Sequence, residues 1–438
     1  MDTHADTGAS ALEQVFARID ASRDDLVALT QDLIRVPTVN PPGEFYTDCA
    51  RLVGERLRGK GLAVEYVRSQ GEKADSDKFP RINVVARAQG KGGTGPCVHF
   101  NSHLDVVEAG QGWSVDPFGG IVKEGRVYGR GSCDMKGGLA ASMIAVEAVL
   151  AEGIAFPGAL EISGTIDEES GGWAGVGYLA KKGYFDKGRV DHVIIPEPLN
   201  KDCICLGHRG VWWAEIETLG RIAHGSMPYL GVNAIRGMAA FLGKVEGQLY
   251  PMLDTRQTAM PVIPEGSRRS TLNFNSIHGG QGEPDRDYDG APSPVVADSC
   301  RLILDRRYLI EEDPVAVKRE IVDLLEQTKR ERNDFQYRIR DLLEFAPNMT
   351  DADDPVVGAL DRSVARVFGY KAKHVVSPGT YDQKHIQRIA HLRSCVAYGP
   401  GILDLAHQPD EYVIIDDMIR SAKVMAAAAL HLMGVVKI

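Results

Sequence analysis

The sequence has no apolar run long enough to cross a bilayer. The longest, Val424 to Val436, is interrupted by His431, and a span needs about 18 or more apolar residues, so this stretch reads as a packed C-terminal helix. The first thirty residues carry Asp2, Asp6, Glu13, Asp20, Asp24 and Asp25 with no apolar signal core, and a cytoplasmic location is expected. The seven cysteines, at 49, 97, 133, 203, 205, 300 and 395, include no CxxC pair, which excludes a disulfide framework or an all-cysteine zinc site as the organising feature. A basic patch is also missing. The densest basic run, Lys329-Arg330-Glu331-Arg332, is broken by an acid, and 50 basic against 60 acidic residues leave a net charge of −10. Neither nucleic acid nor an anionic membrane is an expected partner. The Gly-rich stretch Gly90–Gly95 lacks both the Lys-Ser/Thr ending of a phosphate loop and dinucleotide-binding spacing, so no nucleotide cofactor is indicated. Internal repeats and extended low-complexity tracts are absent as well.

What is present is ordinary globular material, with 44% hydrophobic and 25% charged residues. At 438 residues and about 100–200 residues per domain, two or three domains are expected. Apolar spacing predicts a helix over Leu12–Leu33, ended by Pro37, Pro41 and Pro42, and a second over about Thr47–Gly59. Short β-rich segments follow at Leu62–Val67, Ile82–Ala88 and Cys97–Phe100, then a helix over Asp134–Glu152, a strand at Ala159–Ile166, a helix over Gly175–Lys182 and a strand at His192–Pro196. This alternation describes an α/β layer around a mostly parallel sheet. After Gly207-His208-Arg209-Gly210 the texture changes. Val211–Thr218, a helix over Asn233–Gln248, Ser270–Ile277, Ser299–Asp305 and a charged helix over Pro314–Arg332 read as a βαββα insert. The alternation resumes at about Ala346. Residues 1–209 and 346–438 are thus expected to form one domain, interrupted by a second at 210–345.

Acidic and imidazole side chains fall at predicted strand ends or in the turns after them: His103, Asp105, Asp134, Glu168, Glu169, Glu197 and, far downstream, His407. Ligand sites of open α/β sheets collect at the carboxyl ends of strands, so these positions can converge. Taken singly each has a plain explanation: His103 as a satisfied core histidine, Glu168-Glu169 as a solvated pair, Asp134 as a helix N-cap. Cys133 has no accompanying His-Asn arrangement that would make it a nucleophile, and reads as a buried small residue.

The joint pattern is more specific. His103-Leu104-Asp105 after an apolar strand, Gly129-Arg130-Gly131-Ser132-Cys133-Asp134-Met135-Lys136-Gly137-Gly138 opening a helix, Asp167-Glu168-Glu169-Ser170-Gly171, Pro196-Glu197-Pro198, and Ala406-His407-Gln408-Pro409-Asp410-Glu411-Tyr412-Val413 occur in this order across the chain. Together they resemble the M20 family of dinuclear zinc peptidases and amidases. The resemblance implies an α/β, phosphorylase/hydrolase-like zinc exopeptidase domain with an inserted α+β, ferredoxin-like lid and dimerisation domain. It implies two divalent metal ions, one held by His103 and Glu197, the other by Glu169 and His407, with Asp134 bridging. Nitrogen and carboxylate donors without thiolate suit zinc first and permit cobalt or manganese. Asp105 is expected to orient His103 through its carboxylate, and Glu168 to act as general base.

The implied reaction is hydrolysis of the amide bond of an N-acyl amino acid or related small carboxylate by a metal-bridged hydroxide, with Glu168 moving the proton. Two divalent cations outweigh three carboxylates by about one charge, which favours a small anionic substrate. The segment Ala223-His224-Gly225-Ser226-Met227-Pro228 matches the family's lid histidine, so His224 is expected to stabilise the oxyanion in a partner's site within a homodimer formed through the lid. Asp305-Arg306-Arg307 makes Arg307 a candidate clamp for a substrate carboxylate, or alternatively a surface ion pair, and Thr380 a candidate substrate contact. Three departures leave the substrate open. Pro294-Val295-Val296-Ala297 replaces the usual Asn-x-x-Pro, Gly379-Thr380-Tyr381-Asp382-Gln383-Lys384-His385 places Tyr381 and a base where small residues are common, and the Gly279–Pro294 loop is long and acidic. A dipeptidase or carboxypeptidase, a hydrolytic deaminase of a small carboxylate, and a catalytically silent metal-stabilised binding protein are the other readings.

Overall fold

The computed structural model describes residues 3–280 and 294–437. The chain forms two compact units, one of residues 1–207, 349–375 and 381–438, the other of 208–348 with 376–380. The Gly279–Pro294 loop lies, except for its ends, outside the described residues.

The first unit is built on a sheet whose middle strands run in the order Ala159–Thr165, Cys97–His103, His192–Ile195, Cys395–Ala397, all parallel. Antiparallel strands flank them: Ala63–Arg68 and Ile82–Gln89 on one side, Cys203–His208 on the other. The sheet is therefore mixed, and only its centre is parallel as expected. Strands buried along their whole length, such as Cys97–His103 and Ala159–Thr165, are covered on both faces, which is what parallel strands require.

Helix Gly137–Ala151 is the most apolar of the covering elements, Ala- and Gly-rich, and buried from Gly137 through Val149. It begins three residues later than its apolar spacing suggested, because Ser132–Lys136 forms a separate wide turn in which Asp134 has non-helical φ and ψ. Gly138 is required there: a Cβ would lie 2.0 Å from the carbonyl oxygen of Pro196, so its absence lets the helix approach the Pro196-Glu197 turn. The helix expected over Leu12–Leu33 is two helices, Thr3–Ala21 and Arg23–Arg35. Both keep their apolar face on the same core, so periodicity alone carries across the break at Ser22. No helix among the described residues is long and apolar enough to cross a membrane.

The second unit carries a four-stranded antiparallel sheet in the order Thr271–Gly279, Ser299–Tyr308, Gly210–Leu219, Gln336–Phe345. Helices Ala234–Lys244 and Pro314–Glu331 connect strands, which gives a βαββαβ order and the ferredoxin-like arrangement of strands. The sequence reading stopped one strand short. The helices start where short side chains cap them: Asn233 accepts from the Arg236 amide, and Asp313, followed by Pro314, accepts from the Val315 amide. One sheet face and the two helices enclose a separate core including Trp212, Phe241, Leu304 and Ile321.

Candidate metal centre

Three neighbouring parallel strands end together. His103, the last residue of its strand, pairs in register with Thr165, and Phe100 of the same strand pairs with Ile194. The turns leaving these strands therefore bring Asp105, Glu168, Glu169 and Glu197 to one edge of the sheet.

His103 is buried, with Nε2 3.1 Å from Asp134 Oδ1 and 4.0 Å from Glu197 Oε1. On the other side of Asp134, His407 Nε2 lies 3.5 Å from Oδ2, and it lies 3.1 Å from Glu169 Oε1. Asp134 thus offers one oxygen to each imidazole. Donor atoms of His103, Asp134 and Glu169 all lie within 4.8 Å of one another. Imidazole nitrogens and carboxylate oxygens in this proportion fit a divalent cation of the zinc, manganese or cobalt kind, and all five expected ligands are gathered in the first unit.

The electrostatics ask for positive charge. Burial raises Glu169 to about 7, with Asp134 adding to the rise against the opposing contact of His407. Burial, then Asp134, pushes Glu197 well above the carboxylate range. Burial also opposes ionisation of Asp134, but hydrogen bonds from His103 and His407 hold it below its ordinary value. Those same contacts, with Asp134 and Glu169, lift His407 to about 10. Three carboxylates so close stay charged only where cations compensate them; the imidazoles do so for Asp134 alone, and a divalent metal would extend it to Glu169 and Glu197.

The polar groups behind the ligands differ in one respect from expectation. His103 Nδ1 lies 2.9 Å from the backbone carbonyl of Asp105 and 3.7 Å from its carboxylate. The carbonyl accepts the Nδ1 proton and so aims Nε2 at the Asp134 side as the nitrogen that would ligate a metal. The Asp105 carboxylate is engaged elsewhere: Oδ1 accepts from the Glu168 amide and Oδ2 from the Glu169 amide, both at 3.2 Å, and Asn40 Nδ2 donates to Oδ2 at 2.9 Å. Asp105 thus holds the turn that carries Glu168 and Glu169. Before that turn, Asp167 adopts a left-handed backbone, φ 62°, a conformation of order 1 kcal/mol or more for a non-glycine residue. Tyr46 Oη and Arg81 Nε, each 2.8 Å from its carboxylate, fix it there.

Glu168 carries a partner that no local motif signals. Lys384 Nζ lies 2.6 Å from Glu168 Oε1; the lysine side chain is buried and that of the glutamate nearly so. Glu411, inside the His407 motif, is the other addition. Its Oε1 accepts from the amides of Cys133 and Asp134 at 2.8 and 3.1 Å, and its Oε2 pairs with Arg130.

Three expected site residues belong to the second unit. His224 is exposed, and its Nδ1 accepts from the amide and hydroxyl of Ser226 at 3.1 and 2.8 Å. Arg307 forks onto Asp305 through Nε and Nη2 at 2.7 and 3.1 Å, whereas its neighbour Arg306 points inward and pairs with Glu312. Thr380 closes the 376–380 segment.

Comparison with known proteins identifies the family. The profile of peptidase family M20/M25/M40 matches residues 99–431. A succinyl-diaminopimelate desuccinylase of Methylobacterium sp. (strain 4-46) is 30% identical over 410 residues, covering 91% of this chain and 93% of that protein. An acetylornithine deacetylase of Myxococcus xanthus is 28% identical over 381 residues, covering 86% and 90%. Among solved structures, human carnosine dipeptidase 1 superposes with a TM-score of 0.76 at 22% identity, covering 97% of this chain and 99% of that one. With the profile spanning three quarters of its length, the five expected ligand positions included, the chain belongs to peptidase family M20/M25/M40.

Proposed function

We propose that this metallohydrolase cleaves the amide bond of an N-acyl amino acid or related small carboxylate, with Glu168 as general base. The observation that carries the reading is the division of Asp134, one oxygen towards His103 and the other towards His407. In this reading His103 and Glu197 hold one divalent cation, Glu169 and His407 a second, and Asp134 both. Such cations would polarise the amide carbonyl and acidify an attacking water near neutral pH. Glu168 takes the proton from that water and returns it to the amine nitrogen as the carbon–nitrogen bond breaks. Zinc is the first expectation for the metal, with manganese or cobalt compatible with the donors.

The substrate class rests on the named relatives, a desuccinylase and a deacetylase, and on the surplus positive charge that two cations leave beside three carboxylates, which favours an anionic substrate. The fold likeness to a dipeptidase makes dipeptides the second class. Arg307 is proposed as the carboxylate clamp and Thr380 as a further substrate contact. His224 is proposed to act in a partner's site. Its Nδ1 is occupied as an acceptor from Ser226, so a neutral ring presents Nε2–H, the donor an oxyanion needs.

The test is a panel of N-acetyl, N-succinyl, N-formyl and N-carbamoyl amino acids plus dipeptides, offered to zinc- and manganese-loaded enzyme, with Glu168→Ala as control. Turnover in the wild type and its loss in a variant that keeps its metal are expected. Unchanged turnover in that variant overturns the assignment of Glu168. Mixing Glu168→Ala with His224→Ala chains should restore part of the activity, because a hybrid site then has both groups.

A further inference from the structure

Lys384, in the loop that places Tyr381 and a base where small residues are common, reaches one of the reacting groups. It lies in the short helix Gln383–Ile389, 3% exposed. The preceding Asp382 is also buried, and its Oδ2 accepts from Asn101 Nδ2 at 2.8 Å and Thr165 Oγ1 at 3.1 Å. Asn101 and Thr165 sit on the two adjacent strands that end at the metal centre. The Asp382–Lys384 turn is therefore tied to the same strand ends that present His103 and Glu168. From this turn Lys384 delivers Nζ to 2.6 Å from Glu168 Oε1. Burial works against the ammonium, but the carboxylates of Glu168 and Asp382 outweigh it and hold Lys384 above the ordinary lysine range.

Glu168 is thereby fixed twice. Its amide donates to Asp105, and one carboxylate oxygen is bonded to a cation that is itself locked in place. A glutamate on a three-residue turn otherwise has several rotamers. Proton transfer within an attacking complex is sensitive to such freedom, since a misplacement of about 1 Å lowers the rate about 100-fold.

We propose that Lys384 is a positioning residue for the proton transfer: its ammonium holds Oε1 of Glu168 so that Oε2 is presented as the atom that takes and returns the proton. The inference rests on Glu168 being the general base. Lys384 remains an ammonium throughout. The proton goes from water to Oε2 and then to the departing amine, and the net change is amide plus water to carboxylate plus amine.

The test uses the full-length, zinc-loaded enzyme with the fastest member of an N-acetyl and N-succinyl amino acid panel. In Lys384→Met, kcat is expected to fall about 100-fold, with KM within about threefold and metal content at the wild-type value. Lys384→Arg should recover part of kcat, and a crystal structure of the metal-loaded Met variant should show the Glu168 carboxylate in a new rotamer. Lys384→Gln, which is polar but too short to reach Glu168, gives the same kcat loss and rotamer change where the Met variant does not fold. Loss of kcat in proportion to lost metal, a rise in KM with kcat unchanged, or an unmoved Glu168 in the crystal overturns the proposal. Glu168→Ala separates the two levels. If it is active with metal bound, the base assignment fails; if it is inactive while Lys384→Met is fully active, only the positioning role fails.

Discussion

Arg130 and Glu411 form a buried ion pair that fastens the ligand-bearing turns to one another. Arg130 also donates to the backbone carbonyls of Glu108, Ala109, His407 and Gln408, while Glu411 holds the amides of Cys133 and Asp134. The turns after His103, around Asp134 and around His407 thus share one guanidinium–carboxylate pair. Replacing Glu411 by Ala strands a buried cation and is expected to destabilise the metal-free protein by about 3 kcal/mol, measured by urea unfolding. Glu411→Gln keeps the volume and one acceptor. It should leave the fold in place and weaken zinc binding about 10- to 100-fold, measured by competition with a chelator. Wild-type zinc affinity in that variant would remove the pair from any part in shaping the site.

The ligand assignment makes a counting prediction. If Asp134 serves both cations, Asp134→Ala should leave the purified protein close to metal-free, whereas His407→Ala should lose mainly one of two ions. Metal content per chain by mass spectrometry after loading and desalting distinguishes them. An Asp134→Ala protein that retains two ions contradicts the shared role.

The candidate metal centre was legible only through the joint order of its motifs and the family they resemble, since His103, Asp134 or Glu169 taken singly has a plain structural reading. What surrounds the ligands was less so. Lys384 and Glu168 are 216 residues apart in the chain, and nothing local to either signals their meeting. The part played by the Asp105 carbonyl in orienting His103 is a main-chain contact that no residue type reports. In the fold, the strand Gln336–Phe345 lies between the expected helix end at Arg332 and the resumption at Ala346; the alternation of Tyr337 and Ile339 with Arg338 and Arg340 is short, and an irregularity at Asp341–Leu343 interrupts it. It is recognisable as a strand only through its pairing with Gly210–Leu219. The antiparallel flanks of the main sheet were hidden for a related reason, since strand direction is set by connections and not by composition.

The homodimer proposal has a surface to test. In the second unit, Ile222, Tyr229, Leu230, Ile235 and Ile277 are large apolar side chains with 43% or more of their surface exposed, and Ile277 lies on the edge strand Thr271–Gly279. An edge that is unpaired among the described residues and has apolar neighbours is a site for strand pairing with a second copy. Ile277→Lys combined with Tyr229→Asp is expected to shift the protein to monomer in light scattering without changing its far-UV circular dichroism. A dimer that survives both changes is held by another surface.

His385 supplies a pH dependence independent of the metal ligands. Its Nε2 lies 2.7 Å from the carbonyl of Gly171, so that nitrogen carries a proton, while Arg388 Nη2 donates to Nδ1 at 3.3 Å and keeps the ring neutral. Burial, reinforced by the nearby Lys384 and Arg388 charges, lowers its pKa to about 3. In the unfolded chain the ordinary histidine value of about 6.5 applies. Between these values the unfolded state binds the extra proton, so the contribution of His385 is complete above pH 6.5 and is lost as the pH falls towards 3. The slope from this one group approaches about 1.4 kcal/mol per pH unit inside the window. His385→Gln retains an N–H donor for Gly171 but does not titrate. Its unfolding free energy, measured by urea denaturation of metal-free protein at pH 7, 6 and 5, should fall less steeply with acid than that of the wild type. Parallel slopes for the two proteins would mean that His385 is not held neutral.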